Sequence, residues 1–299
     1  MTKDEMNGKM LAPMDRREFL RASGAGLGGV LLAPAGAASA VAERDLSDDR
    51  CILYDAAKCI GCKACERACR EYNHLPEVEP APIALSAVTW NLIYRRNGAA
   101  DDEAPFWNRQ CMHCADAACV SVCPTAALAY DPLGFVGVDT GLCNGCGYCT
   151  TACPFGVPHL RDQNVLTGWA KAAKCTFCQE KTRSGDGGPS CAEACPTGAL
   201  VWGRRGNLLA QAQARVAELE QTGMSATLYG ADESGGLHRL SLLVADPAAY
   251  DLPADPHGPL STSAIWQNVI RPLARVSFGF GLLGVLTAFF VARRHIRME

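Results

Sequence analysis

Sixteen of the seventeen cysteines of this chain fall into four quartets. They are Cys59, Cys62, Cys65, Cys69; Cys111, Cys114, Cys119, Cys123; Cys143, Cys146, Cys149, Cys153; and Cys175, Cys178, Cys191, Cys195. The last three end in Cys-Pro, at Pro124, Pro154 and Pro196. The first and third have the spacing C-x2-C-x2-C-x3-C, which binds [4Fe–4S] clusters. A cubane takes one thiolate per iron, and two-residue gaps let one short loop aim three sulfurs at three corners. The fourth cysteine lies about one helical turn past the third and points elsewhere, toward a second cluster. The proline after it ends the helix. Gly61 and Gly145 suit loops whose backbone N–H groups approach cluster sulfur. Four quartets predict four [4Fe–4S] clusters and a chain built to move electrons.

Other cysteine chemistries fit less well. Zinc ribbons repeat C-x2-C but do not end in C-x3-C-P. Seventeen is odd, and C-x2-C-x2-C crowds thiols on one loop instead of spreading disulfide staples. The C-x3-C-x2-C run of radical enzymes does not occur. Cys51, left over, lies in the strand-like Cys51-Ile52-Leu53-Tyr54 and reads as a buried structural thiol. His74, His113 and His159 lie near the quartets, but sixteen thiolates already satisfy four clusters. His113, inside a cluster loop, could tune potential by bonding to sulfur. The net charge of −3 offers no basic surplus for nucleic acid.

Both termini carry targeting signals. Arg16-Arg17 followed by Glu18-Phe19-Leu20 matches a twin-arginine export signal, with a Gly/Ala-rich stretch behind it. Ala38-Ser39-Ala40 matches the A-x-A pattern of a cleavage site, so residues 1–40 read as a signal peptide. That route exports folded proteins, which suits clusters inserted in the cytoplasm. From Val276 to Ala292 there is no charge. Extended back across Arg275 to Leu273, the run 273–292 is long enough for a transmembrane helix. Arg293, Arg294 and Arg297 place its tail in the cytoplasm. Ser277, Gly281, Gly284 and Ala288 form a small-residue face suited to helix packing. These signals predict a location on the periplasmic side of the bacterial inner membrane, anchored by that one helix.

Between the termini the chain alternates strand-like runs with cysteine loops. Ile52-Leu53-Tyr54 precedes the first quartet and Phe135-Val136-Gly137-Val138 the third; Leu128-Ala129-Tyr130 follows the second and Leu200-Val201-Trp202 the fourth. This internal repeat predicts an α+β fold of tandem ferredoxin-like, dicluster halves over residues 51–205. Cluster ligation would supply much of the folding free energy. Residues 206–262 form an extension with an amphipathic helix over Asn207–Gln221 and a two-stranded element, Ala226–Tyr229 with Leu240–Val244. It carries no evident chemistry and reads as a partner-docking scaffold.

The quartets in this order, with four residues inside the second and twelve inside the fourth, resemble the four-cluster iron–sulfur subunits of membrane-bound respiratory oxidoreductases. The stretches Leu53-Tyr54-Asp55, Gln110-Cys111-Met112-His113-Cys114, Val120-Ser121-Val122-Cys123-Pro124 and Ala152-Cys153-Pro154-Phe155-Gly156-Val157-Pro158 carry the resemblance, chiefly to the branch serving quinone-linked nickel–iron hydrogenases. The resemblance implies that the first quartet pairs with the fourth and the second with the third. One cluster then takes Cys59, Cys62, Cys65 and Cys195; a second Cys175, Cys178, Cys191 and Cys69. A third takes Cys111, Cys114, Cys119 and Cys153; the fourth Cys143, Cys146, Cys149 and Cys123. It implies a non-catalytic electron-transfer subunit between the small and large subunits of a periplasmic hydrogenase and an integral membrane quinone-site or cytochrome subunit. The alternatives are the beta subunit of a molybdopterin enzyme such as formate dehydrogenase, and a free-standing ferredoxin-like carrier.

Overall fold

The computed structural model describes residues 45–96, 106–162, 170–254, 256 and 270–295. The expected export signal, with Arg16 and Arg17, lies outside the described residues.

Strand β1 (Arg50–Asp55) is buried from Cys51 to Asp55. An apolar run buried on both faces belongs in the middle of a sheet. It lies there, in a four-stranded sheet of order β8-β1-β10-β9. Strand β8 (Leu200–Arg204) is antiparallel to β1, with Tyr54 opposite Leu200 and Cys51 opposite Gly203. On the other side β10 (Arg239–Leu243) runs parallel to β1, pairing Leu53 with Leu240. The outer strand β9 (Thr227–Tyr229) is antiparallel to β10.

Alternation along β1 sorts its side chains onto two faces. Cys51 and Leu53 meet Leu208 and Ala212 of the helix over Arg205–Gln221, with Leu240 of β10. Ile52 and Tyr54 face the main core, which holds Trp107, Leu237, Leu243 and Tyr250. Trp107, fully buried, sits edge-on to Tyr54 at 5.3 Å between ring centroids and tilted against Tyr250 at 5.2 Å. Cys51 is fully buried, and burial pushes its thiol up to about 12, as a structural thiol requires.

Among the described residues three two-stranded ribbons complete the strands. They are β2 (Leu92–Arg95) with β3 (Phe106–Arg109), β4 (Leu128–Tyr130) with β5 (Val136–Val138), and β6 (His159–Asp162) with β7 (Ala170–Ala173). The β4–β5 turn closes through Gly134, whose φ of +101° L-residues rarely adopt. Asp131 anchors that turn, accepting from the Leu133 N–H at 2.9 Å and from Arg183. The expected strand–loop–helix repeat is present: β1 and β8 flank the first and fourth quartets, and β4 and β5 the second and third.

The helices among the cysteines are short: α1 (Ala64–Tyr72), α2 (Ala118–Ser121), α3 (Tyr148–Ala152), α4 (Gln179–Ser184) and α5 (Ser190–Glu193). Asn73 ends α1, its side chain donating back to the Cys69 carbonyl at 2.8 Å. Helix α6 (Arg205–Gln221) presents Leu208, Ala212 and Leu219, one face at helical spacing.

Two expectations change. The stretch expected only as a docking extension also builds the main sheet: β9 and β10 come from it, and β10 is an inner strand. The reason is that β1 has two edges and β8 covers one. The expected membrane span at 273–292 is corrected. A helix, α7 (Arg271–His295), does form there. Among the described residues, however, no helix is long and apolar enough to cross a membrane. The uncharged run 276–292 rises about 25 Å, against a hydrocarbon thickness of ~30 Å. Gly279, Gly281, Gly284, Ser277 and Thr287 dilute it further. Its apolar side chains, Phe278, Phe280 and Phe289 among them, are exposed.

Candidate metal centres

No disulfide joins any of the seventeen cysteines. Left-handed backbone turns the quartet loops inward. Gly61 (φ +69°) and Lys63 (φ +59°) bend the loop from Cys59 to Cys65, while Gly145 (φ +74°) and Gly147 (φ +76°) bend that from Cys143 to Cys149. Phe177 (φ +61°) and Cys178 (φ +48°) do so after Cys175. A Cβ on Gly61 would lie 2.5 Å from the Phe106 ring, and one on Gly145 would strike the Ala170 carbonyl. Close approach of neighbouring backbone and ring therefore requires glycine at both places.

The thiols gather in four groups. Cys59, Cys62, Cys65 and Cys195 line one cavity with Tyr54, Ile93 and Pro196. Cys69 has Cys175 and Cys178 as electrostatic neighbours, and Cys191 has Cys175, Cys69 and Cys178. Cys114 has Cys111, Cys119 and Cys153. Cys149 has Cys143, Cys146 and Cys123. Each group draws its fourth thiol from another quartet. The packing of α1 on α5 and of α2 on α3 makes this exchange possible.

The groups form a file. Cys65 of the first neighbours Cys69 and Cys191 of the second. Cys175 of the second neighbours Cys111 of the third. Cys119 of the third neighbours Cys149 of the fourth.

The donor set fits iron–sulfur chemistry. Burial pushes the Cys65, Cys119 and Cys175 thiols up to about 12 and Cys149 to about 11, with neighbouring cysteines adding to the effect. Thiolates at such sites need positive charge beside them, which iron supplies when bound. Among the described residues no group of three or more His, Cys, Asp or Glu could hold a single metal ion. A cubane spreads its thiolates over a wider cage than one ion does. N–H groups point at the sulfurs: Ala172 N donates to Cys143 Sγ at 3.3 Å, Leu200 N to Cys195 Sγ at 3.4 Å, and Phe177 N to Cys175 Sγ and Ser190 N to Cys178 Sγ at 3.5 Å each. Such donors stabilise negative charge on cluster sulfur.

The histidines divide. His74 is exposed and His159 half-buried. His113 is buried, and its Nδ1 accepts from the Val136 N–H at 3.2 Å. Burial first, then Lys174 and His238, hold it well below the ordinary histidine range. A neutral ring with Nδ1 accepting carries its proton on Nε2, which has no partner among the described residues.

Among the buried cations that sequence reasoning missed are Lys174 and Arg239. Lys174 donates from Nζ to the Val136 carbonyl at 2.7 Å and the Cys175 carbonyl at 2.9 Å. Arg239, fully buried, donates to the Asn108 carbonyl, to Asn108 Oδ1 at 2.9 Å, to Ser241 Oγ at 3.3 Å and to Met112 Sδ at 3.7 Å. Its guanidinium lies 4.8 Å from the Trp107 ring centroid and 5.4 Å from that of Tyr54. Among the described residues neither cation pairs with a carboxylate. Burial lowers the Arg239 pKa to about 10, and the thiols of Cys191, Cys175 and Cys65 are among the groups that oppose this. It remains a cation at neutral pH. The available signals were a lone arginine in the apolar run Arg239-Leu240-Ser241-Leu242-Leu243 and a lysine directly before Cys175.

Known proteins bear on these groups. A family model described as a 4Fe-4S dicluster domain matches residues 103–205. The nitrate-inducible formate dehydrogenase iron–sulfur subunit of Escherichia coli K12 is 34% identical over 249 residues, covering 79% of this chain and 82% of its own. The formate dehydrogenase iron–sulfur subunit of Haemophilus influenzae is 32% identical over 262 residues, covering 83% of this chain and 82% of its own. The hydrogenase-2 operon protein HybA of Escherichia coli O157:H7 is 34% identical over 301 residues, covering 87% of this chain and 89% of its own. With its cysteines gathered on a ferredoxin-like frame, the chain belongs to the family of iron–sulfur electron-transfer subunits of respiratory oxidoreductases that these relatives represent.

Proposed function

We propose that this chain holds four [4Fe–4S] clusters and carries electrons between a periplasmic nickel–iron hydrogenase and a quinone-reactive membrane subunit. The observation that carries the reading is the grouping of the thiols. Cys59, Cys62, Cys65 and Cys195 hold the first cluster; Cys175, Cys178, Cys191 and Cys69 the second. Cys111, Cys114, Cys119 and Cys153 hold the third; Cys143, Cys146, Cys149 and Cys123 the fourth. Bound clusters supply one-electron redox centres, and the file of groups supports a relay from one end to the other. The protein's part is to fix the thiolates, aim N–H donors at sulfur and keep water from the buried cysteines.

Similarity to HybA over most of both chains supports a hydrogenase partner. The twin arginine at Arg16 and Arg17 supports export to the periplasmic side of the inner membrane. Association with the membrane then runs through the quinone-reactive or cytochrome subunit. A second reading, the beta subunit of a formate dehydrogenase or another molybdopterin enzyme, rests on equal identity to formate dehydrogenase iron–sulfur subunits.

Detergent pull-down of the full chain with metal analysis separates these. The expected result is nickel together with at least about sixteen irons per chain. Molybdenum or tungsten in place of nickel would establish the second reading. Zinc in place of iron would overturn both.

A further inference from the structure

Arg239 presents a physical problem. A buried cation is costly unless an opposite charge faces it, and among the described residues no carboxylate does. The groups that surround it are aromatic faces, neutral acceptors and the cysteines of the first two thiol groups. It also reaches one of those cysteines through a chain of bonds. Asn108, fully buried, accepts from Arg239 on Oδ1 at 2.9 Å. The Asn108 amide nitrogen donates to Cys65 Sγ at 3.6 Å and to Asn91 Oδ1 at 2.5 Å. Asn91 in turn donates to the Cys65 carbonyl at 3.2 Å. A cation on the oxygen of an amide polarises it and strengthens what its N–H groups donate.

We propose that Arg239 is a positioning residue that acts through Asn108 to raise the reduction potential of the cluster on Cys59, Cys62, Cys65 and Cys195. The inference rests on the four-cluster reading. One-electron reduction adds one negative charge to a cluster, with the electron arriving from the neighbouring redox centre. A fixed cation in a low-dielectric interior favours the reduced form over the oxidised one. The amide N–H at Cys65 adds to this in the same direction. The proposal gives the buried charge its counter-ion, because clusters bound through the thiolates of Cys65, Cys175 and Cys191 would be anionic.

The test is a redox titration of the full chain in its membrane complex, followed by electron paramagnetic resonance, with iron measured in the same samples. Arg239→Met keeps the bulk and removes the charge. The expected result is full iron content and about a tenfold fall in the equilibrium constant for reducing one cluster, a downward shift of ~59 mV for one electron. Arg239→Lys keeps the charge and should restore most of that shift. Where Arg239→Met does not fold, Asn108→Leu carries the test: the potential of the same cluster falls while Arg239 remains. Full iron with unchanged potentials in the folded variant would overturn the inference and leave the four-cluster reading intact. Wild-type protein with zinc in place of iron would overturn that reading, and the inference with it.

Discussion

Gly145 and Gly156 both have left-handed backbone beside a cluster cysteine, with φ of +74° and +62°. They differ in what a methyl group would meet. At Gly145 it would strike the Ala170 carbonyl at the start of β7; at Gly156 nothing described lies within 4 Å. Alanine at either site pays about 1–2 kcal/mol for the left-handed conformation. At Gly145 the ribbon must also move away from the loop. That movement breaks the Ala172 N–H bond to Cys143 Sγ, 3.3 Å long, and the Lys171 ammonium bond to the Cys143 carbonyl. A neutral bond contributes about 0.5–1.5 kcal/mol and one to a charged group about 1.5–3 kcal/mol. Gly145→Ala should therefore cost about 3–6 kcal/mol, a large part of the ~5–15 kcal/mol that holds a domain together. Gly156→Ala should cost about 1–2 kcal/mol. Denaturant titration of the full-length protein, followed by visible cluster absorbance, measures the difference. Equal midpoints for the two variants would refute the claim that Ala170 excludes a side chain at 145.

Exchange of thiols between quartets makes a sharper spectroscopic claim. Cys195→Ser and Cys62→Ser should abolish the same paramagnetic signal, and Cys178→Ser a different one; a shared loss for Cys195 and Cys178 would show that the quartets act separately. Arg183→Ala leaves Asp131 buried without the guanidinium that lies 2.5 Å away. It should cost about 1–3 kcal/mol, because Arg183 is half-exposed, and Asp131→Asn in the same chain should recover part of the loss in a melting experiment. Trp107→Ala, at a fully buried site between two tyrosine rings, should cost about 3–5 kcal/mol by denaturant unfolding; a cost below 1 kcal/mol would mean the core collapses onto the gap.

Much of the site was legible because ligation chemistry dictates spacing along the chain. The four quartets, the loop glycines and the strands at Ile52–Tyr54 and Leu200–Trp202 all follow from local rules, and they lie where expected. The exchange of the fourth cysteine was implied by family resemblance and not by spacing. What local rules do not contain is the pairing of β1 with β10, which joins residues far apart in sequence. For that reason residues 206–262 read as an appendage. Arg239 was missed for a related reason. Its surroundings, Tyr54 of β1 and Trp107 and Asn108 of β3, come from two other places in the chain, and an arginine on a strand reads as solvated until they assemble. The C-terminal run forms the expected helix, but among the described residues no helix is long and apolar enough to cross a membrane.

The exchange of cysteines also sets how much of the chain each group needs. Cys59, Cys62 and Cys65 leave the ribosome early, but their group has no fourth thiol until Cys195 follows. The second group needs Cys69 from the start of the chain and Cys191 from beyond the middle. The strand that carries Cys51 waits longer still, for Leu240. A chain of about 160 residues contains every thiol of the third and fourth groups, while the first and second groups lack those from Cys175 onward. The first and second groups are therefore complete only in a chain that extends past Cys195. For a protein proposed to cross its membrane already folded, this makes completed cofactor loading a signature of a nearly complete chain.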